Sequence, residues 1–220
     1  MNPETKGQSG IRGAKAEPAP LNNSNNINNK KSWKKREGFK LEDVVSLESV
    51  IDAVDRARRD VEKGRYKLRD LALVAILTYT GCRIGEALVL SREDIDFKSK
   101  TVRIKQLKKR GEFSRIVPVP SRLFWDIMEW YLRKTPSDRL FEISERQARN
   151  IVYKFSARYL RRKLRPHALR HAYALAVLKR TKDLEIVRRL LGHADYKHLK
   201  HYLNYTQEDL EEELAKVFEK

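Results

Sequence analysis

The chain is poor in cysteine, with Cys82 alone among 220 residues. That excludes an intrachain disulfide and a cysteine-based zinc site, and it fits an intracellular setting. No apolar run approaches the ~20 residues of a membrane-spanning helix, and the N-terminus has no apolar block of the secretory kind. The expectation is a soluble, cytoplasmic protein. Acidic residues are also scarce: 30 Asp and Glu stand against 48 Lys and Arg, a formal charge of +18. Such an excess attracts a polyanion, with nucleic acid the leading partner. A basic membrane-surface or ribosomal protein would share it, so charge alone says nothing of catalysis. With 40% hydrophobic residues, the chain can bury the core of one ordinary domain and at most a small appendage.

Hydrophobic periodicity is missing from residues 1–40, where EPAP, NNSNNINNKK and KSWKKRE mix Asn, Pro and Lys. Such a segment buries too little apolar surface to offset its ordering entropy. It reads as a flexible basic arm with nine Lys and Arg and three Asp and Glu, six of the surplus of eighteen, which leaves twelve for a body over 41–220. A solvated tail explains the arm more simply than a DNA-gripping one.

In the body, Leu47, Val50, Ile51, Val54, Ala57 and Val61 recur at helical spacing, with Gly64 as a stop. A second helix runs from Leu68 to Tyr79 and ends in Thr80-Gly81; a short third begins near Arg83, and Ser91 with Asp94 forms a cap for the next turn. The period then changes. TVRIKQL (101–107) and SRIVPV (114–119) flank the polar KKRGEF as a hairpin. Helices follow at Leu123–Leu132, Glu145–Leu160, His167–Lys179, Asp183–Leu191, around Lys200 and at Gln207–Phe218. The class is mostly α with a small antiparallel β-sheet, α+β.

Three stretches carry chemistry: TGCRIGEAL (80–88) with Arg83 after a Gly turn, PHALRH (166–171) with His167 and Arg170, and LLGHADYKHLKHY (190–202) with His193 and Tyr202. In this order, with the hairpin between the first two, the chain resembles the catalytic domain of the tyrosine recombinases, the phage integrases. LSREDIDF, RIVPVP and LRHAYA add to the likeness, which covers about residues 45 to 215. Any one motif alone, such as His-x-x-Arg, would be weak. The resemblance implies the tyrosine recombinase catalytic fold and a site-specific recombinase that cuts and rejoins DNA through a 3′-phosphotyrosyl link, without metal, ATP or other cofactor. Arg83 and Arg170 would face the nonbridging phosphate oxygens, where a planar fork stabilises the charge of the transition state. His167 would assist proton transfer at the nucleophile, and His193 would donate to a phosphate oxygen. Spacing of i, i+3 puts His167 and Arg170 on one helix face. His171 falls on another, for packing or capping.

The resemblance also asks the hairpin for a lysine that protonates the leaving 5′ oxygen. Lys108, closing the first strand, is selected over Lys109 and Lys105, which read as phosphate contacts. A tyrosine, with a pKa of about 10, attacks only if its proton is taken while the phosphate is held in line. Tyr202 stands at the family's distance from His193; Tyr196 is too close, and Tyr205 adjoins a helix start capped by Thr206. A metal at His193, His198 and His201 lacks a completed ligand set, only Asp195 being near.

Double-stranded DNA is the implied partner, with a tetramer on DNA and a monomer alone. Members of the family usually place a helical core-binding domain before the catalytic one, whereas only the arm and the 41–64 helix precede it here. A type IB topoisomerase would use nearly the same residues, and a DNA-binding regulator derived from an integrase would share the body without the chemistry. The helix with Arg146, Gln147, Arg149, Asn150 and Lys154 is a candidate for reading bases, although a solvated charged face explains those residues as well.

Overall fold

A computed structural model describes residues 45–106 and 113–192. The chain divides into units at Glu37/Gly38, and all described residues belong to the second. The element order is α1 (Leu47–Glu62), α2 (Leu68–Thr80), α3 (Ile84–Leu88), a 3₁₀ turn (Arg92–Asp94), β1 (Ile95–Asp96), β2 (Thr101–Gln106), β3 (Phe113–Pro118), α4 (Arg122–Lys134), α5 (Glu145–Leu160), α6 (Pro166–Thr181) and α7 (Leu184–Leu191).

Small polar residues set the helix starts. Ser46 accepts from the Ser49 amide at 3.1 Å, and Ser121 caps α4. Ser144 and Gln147 form a reciprocal capping box at α5, and Asp183 caps α7 through the amides of Glu185 and Ile186. Pro166 occupies the first turn of α6, where its missing N–H is not needed.

Helix α2 is apolar on every side, and Leu71 through Leu77 are all buried. It is the central rod, packed by α1, α4, α5 and α6, as an all-round hydrophobic helix must be. Truncating one of its leucines to Ala costs about 2–5 kcal/mol. At the far edge, α1 and α5 are joined by Asp60, which accepts from the Tyr159 hydroxyl at 2.7 Å and Arg158 at 2.6 Å.

The sheet is antiparallel in the order β1-β2-β3. Its third strand, β1, is a two-residue piece within IDF that periodicity did not predict, since two residues carry no period. The register pairs Arg103 with Ile116, Ile104 with Arg115, Lys105 with Ser114 and Gln106 with Phe113. Alternation therefore turns Val102, Ile104, Arg115 and Val117 inward, all buried, and leaves Arg103, Ser114 and Ile116 outward. Ser91 and Asp94 form the expected cap: Asp94 accepts from the Ser91 amide at 2.9 Å and hydroxyl at 2.8 Å. The expected helices around Lys200 and at 207–218 lie outside the described residues, as does Leu107.

Candidate active site

The site grows from the end of α2. Gly81 closes that helix in the left-handed conformation, φ 60°, and an added Cβ would meet the Tyr173 ring at 2.5 Å. Two requirements thus fall on one residue: a backbone angle that L side chains avoid and no room for a methyl. The turn delivers Arg83 as the residue preceding α3, its side chain 43% exposed.

Glu86, in the first turn of α3, is only 3% exposed and is fully engaged. It accepts from the Arg83 amide at 2.8 Å and Arg83 Nη1 at 3.2 Å, and from Arg115 Nη2 at 2.8 Å and Nη1 at 3.3 Å. Burial raises its pKa, but the hydrogen bonds and charges of Arg115 and Arg83 outweigh burial and hold the carboxyl below its ordinary value. Neither Glu86 nor Arg115 was singled out from the sequence. A signal existed: Arg115 occupies an inward position of an alternating strand, where a cation requires a buried carboxylate.

Arg170 lies one turn into α6 and is 5% exposed. Its Nη1 donates to the Gly81 carbonyl at 2.7 Å and its Nη2 to the Leu191 carbonyl at 2.9 Å. One guanidinium thereby joins the turn two residues before Arg83 to the helix end two residues before His193. His167, on the solvent side of the same helix, has its pKa lowered from 6.5, first by partial burial and then by the charges of Arg170, Arg83 and Arg149. Both predicted arginines therefore act on His167, and the imidazole is largely neutral at pH 7, the form that accepts a proton. Arg149 comes from α5, where it pairs with Glu145. His171, expected on another face of α6, instead lies one turn beyond His167 with the two ring centroids 6.5 Å apart, because residues four apart on a helix share a face.

Lys105 sits on the other face of the hairpin. Its Nζ is 3.2 Å from Asp94 and 3.4 Å from Glu93, and the Asp94 hydrogen bond raises its pKa above the ordinary lysine value. The residue that follows on β2, Gln106, has its side chain against Gly192, so the strand approaches the end of α7. Lys108, Lys109, His193, His198, His201, Tyr196, Tyr202 and Tyr205 lie outside the described residues. Of the six proposed catalytic residues, the described part thus brings together Arg83, His167 and Arg170.

Cys82, behind the site, is buried, and burial pushes its thiol up to about 11. It is an inert packing group at neutral pH. Among the described residues no helix is long and apolar enough to cross a membrane, and no group of three or more His, Cys, Asp or Glu could hold a metal ion.

The chain is 32% identical to tyrosine recombinase XerA of Pyrococcus furiosus over 160 residues, covering 69% of this chain and 55% of that one. It is 31% identical to tyrosine recombinase XerC of Pediococcus pentosaceus over 173 residues, 71% of this chain and 56% of that one. Among solved structures, XerA recombinase superposes with a TM-score of 0.65 at 23% identity, covering 80% of this chain and 65% of that one. XerH recombinase bound to palindromic difH, after cleavage, gives 0.63 at 22% identity, with 83% and 53% covered. The chain spans a little over half the length of these curated relatives. The family model for the phage integrase family matches residues 46–209, and the chain belongs to that family, the tyrosine recombinases.

Proposed function

We propose that this chain is a site-specific DNA recombinase in which Tyr202 attacks a DNA phosphorus. The phenolic oxygen forms a 3′-phosphotyrosyl bond, the bond to the 5′ oxygen breaks, and Tyr202's proton passes to His167. Lys108 gives a proton to the leaving 5′ oxygen. A 5′ hydroxyl, from a partner strand in recombination, then attacks the phosphotyrosine and reverses the step, so that bond energy is conserved and no ATP is needed. Arg83, Arg170 and His193 serve the nonbridging oxygens, where charge grows in the transition state.

One observation carries this reading: Arg170 hydrogen-bonds both the Gly81 turn and the end of α7 while its charge and that of Arg83 fall on His167. Convergence of the motif residues from α6 and the α2–α3 turn is what attack at a single phosphate requires. The partner is double-stranded DNA, held with a strong salt dependence given the +18 charge, and exchange between two duplexes uses a tetramer of this chain on DNA.

The test uses a pool of nicked duplexes with randomised sequence around the nick, in which cleavage releases a short fragment and traps the enzyme. A covalent adduct is expected from the wild-type chain, none from Tyr202→Phe, and a persisting adduct from Tyr205→Phe. Absence of any adduct overturns the enzymatic reading in favour of a DNA-binding regulator. With the selected sequence in hand, strand exchange between two duplexes is the expected outcome; plasmid relaxation without exchange would mean a topoisomerase.

A further inference from the structure

In the sequence the end of α7 leads directly into His193, and two side chains hold that end. The last four carbonyls of a helix have no partner within it and must find donors elsewhere. In α7 the Gly192 amide donates to the carbonyls of Arg188 and Arg189. The Leu190 carbonyl accepts from Arg115 Nε at 2.7 Å, and the Leu191 carbonyl accepts from Arg170 Nη2 at 2.9 Å. Two buried guanidiniums therefore cap one helix, each adding positive charge where the helix dipole is negative. Arg170 is already placed in the chemistry. Arg115 is not.

Arg115 reaches across from β3 with its side chain 7% exposed. While Nε holds α7, its Nη1 and Nη2 hold Glu86, which in turn holds the Arg83 amide. The hydrogen-bonded path runs from the Leu190 carbonyl through Arg115 and Glu86 to the backbone of Arg83. Gly192 completes the fit. At φ 66° its backbone passes so close that a Cβ would lie 2.3 Å from Gln106 Nε2 and 2.8 Å from Arg115 Nη1. The side chains of the hairpin thus form the seat on which the chain turns out of α7.

We propose that Arg115 is a positioning residue for strand cleavage: through its shared contacts it fixes the end of α7, and hence the start of the segment bearing His193 and Tyr202, relative to Arg83. His193 is the next residue in the chain after Gly192, so a shift at the seat is a shift of the point from which that segment starts. A lysine at 115 is a cation of similar length but a point charge; it pairs with Glu86 and lacks the fork that reaches the Leu190 carbonyl at the same time. Misplacing reacting groups by about 1 Å costs on the order of 100-fold in rate.

This inference rests on the cleavage reading above, and its test separates the two. Wild type and Arg115→Lys are compared in the full chain on the nicked duplex selected by wild type, measuring adduct formation at saturating DNA, DNA affinity and amide exchange. The expected result is a rate on the order of 10- to 100-fold lower, affinity within about twofold, and faster exchange confined to residues 188–192 while α2 stays protected. A folded Arg115→Lys chain that cleaves at the wild-type rate overturns the proposal. So does a rate loss that follows DNA affinity, or one that cooling restores along with the folded fraction. Should the lysine variant not fold, Arg115→Gln with Glu86→Gln removes both buried charges together and is judged by the same criteria. Failure of the wild-type chain to form any adduct overturns the cleavage reading and this inference with it.

Discussion

Two carboxylates lie on opposite faces of the hairpin, and each gathers two cationic residues. On the inner face, Glu86 binds Arg115 and Arg83, and the Glu86–Arg115 pair is almost wholly removed from water. On the outer face, Asp94 binds Arg103 at 2.8 Å and Lys105 at 3.2 Å, and both cations are more than two fifths exposed. Asp94 is itself buried, but it also accepts from the amide and hydroxyl of Ser91. The chemistry of the two clusters is alike and their dependence on partners is not. An inner charge that loses its partner stays desolvated, whereas outer cations turn to solvent. The inner cluster can therefore transmit position between the α2–α3 turn and α7, while the outer one only fastens β2 to the turn preceding β1.

The contrast breaks most sharply at Glu86. Glu86→Ala strands the Arg115 charge and is expected to cost about 3–5 kcal/mol in chemical denaturation. Asp94→Ala loses a cap and two half-exposed ion pairs and is expected to cost about 1–3 kcal/mol by the same measurement. If the two losses are equal, the inner cluster is no more dependent on its partners than the outer. Gly192→Ala is expected to destabilise by more than the ~1 kcal/mol of its positive φ, since the methyl must displace Gln106 and the buried Arg115, while lowering the adduct rate more than that loss explains. Lys105→Ala should cost a few tenths of a kcal/mol and leave the adduct rate unchanged; a large fall in rate would move the proton-donor role from Lys108 to Lys105.

Acid sharpens the same comparison. Glu86 and Asp94 both have pKa values held below the ordinary range. Their stabilisation is complete above the unfolded values near 4.5 and 3.8 and is lost as pH falls through the lower folded values. Glu86→Gln and Asp94→Asn should each flatten the acid limb of the stability curve between those limits. The smallest effect lies at His167, whose proton resonances should titrate below 6.5. Arg149→Ala removes one of the three positive charges acting on it and should move that midpoint upward.

Legibility in the sequence followed the range of the interactions. The helices from α1 to α7, the capping Ser91–Asp94 pair and the hairpin follow from caps and periods that operate over a few residues, and the boundaries agree to within one or two positions. The strand β1 escaped because two residues have no period. Arg83, His167 and Arg170 were legible only as motifs, since neither charge nor spacing says which surface arginine faces a phosphate. Glu86 and Arg115 were missed because they are 29 residues apart and their meaning lies in the pair. The ranking of Lys105 behind Lys108 came from the family pattern, and Lys108 lies outside the described residues.

By itself the sequence determined the basic balance, the helical class, the order of the motifs and the Gly residues that end α2 and α7, because each depends on composition or on neighbours along the chain. Only the tertiary structure decided that Arg170 would tie the α2–α3 turn, and Arg115 the first turn of α3, to the end of α7. Those bridges need donors and acceptors from four separate elements brought within 3.3 Å in a water-excluded interior, and no local preference encodes such a meeting.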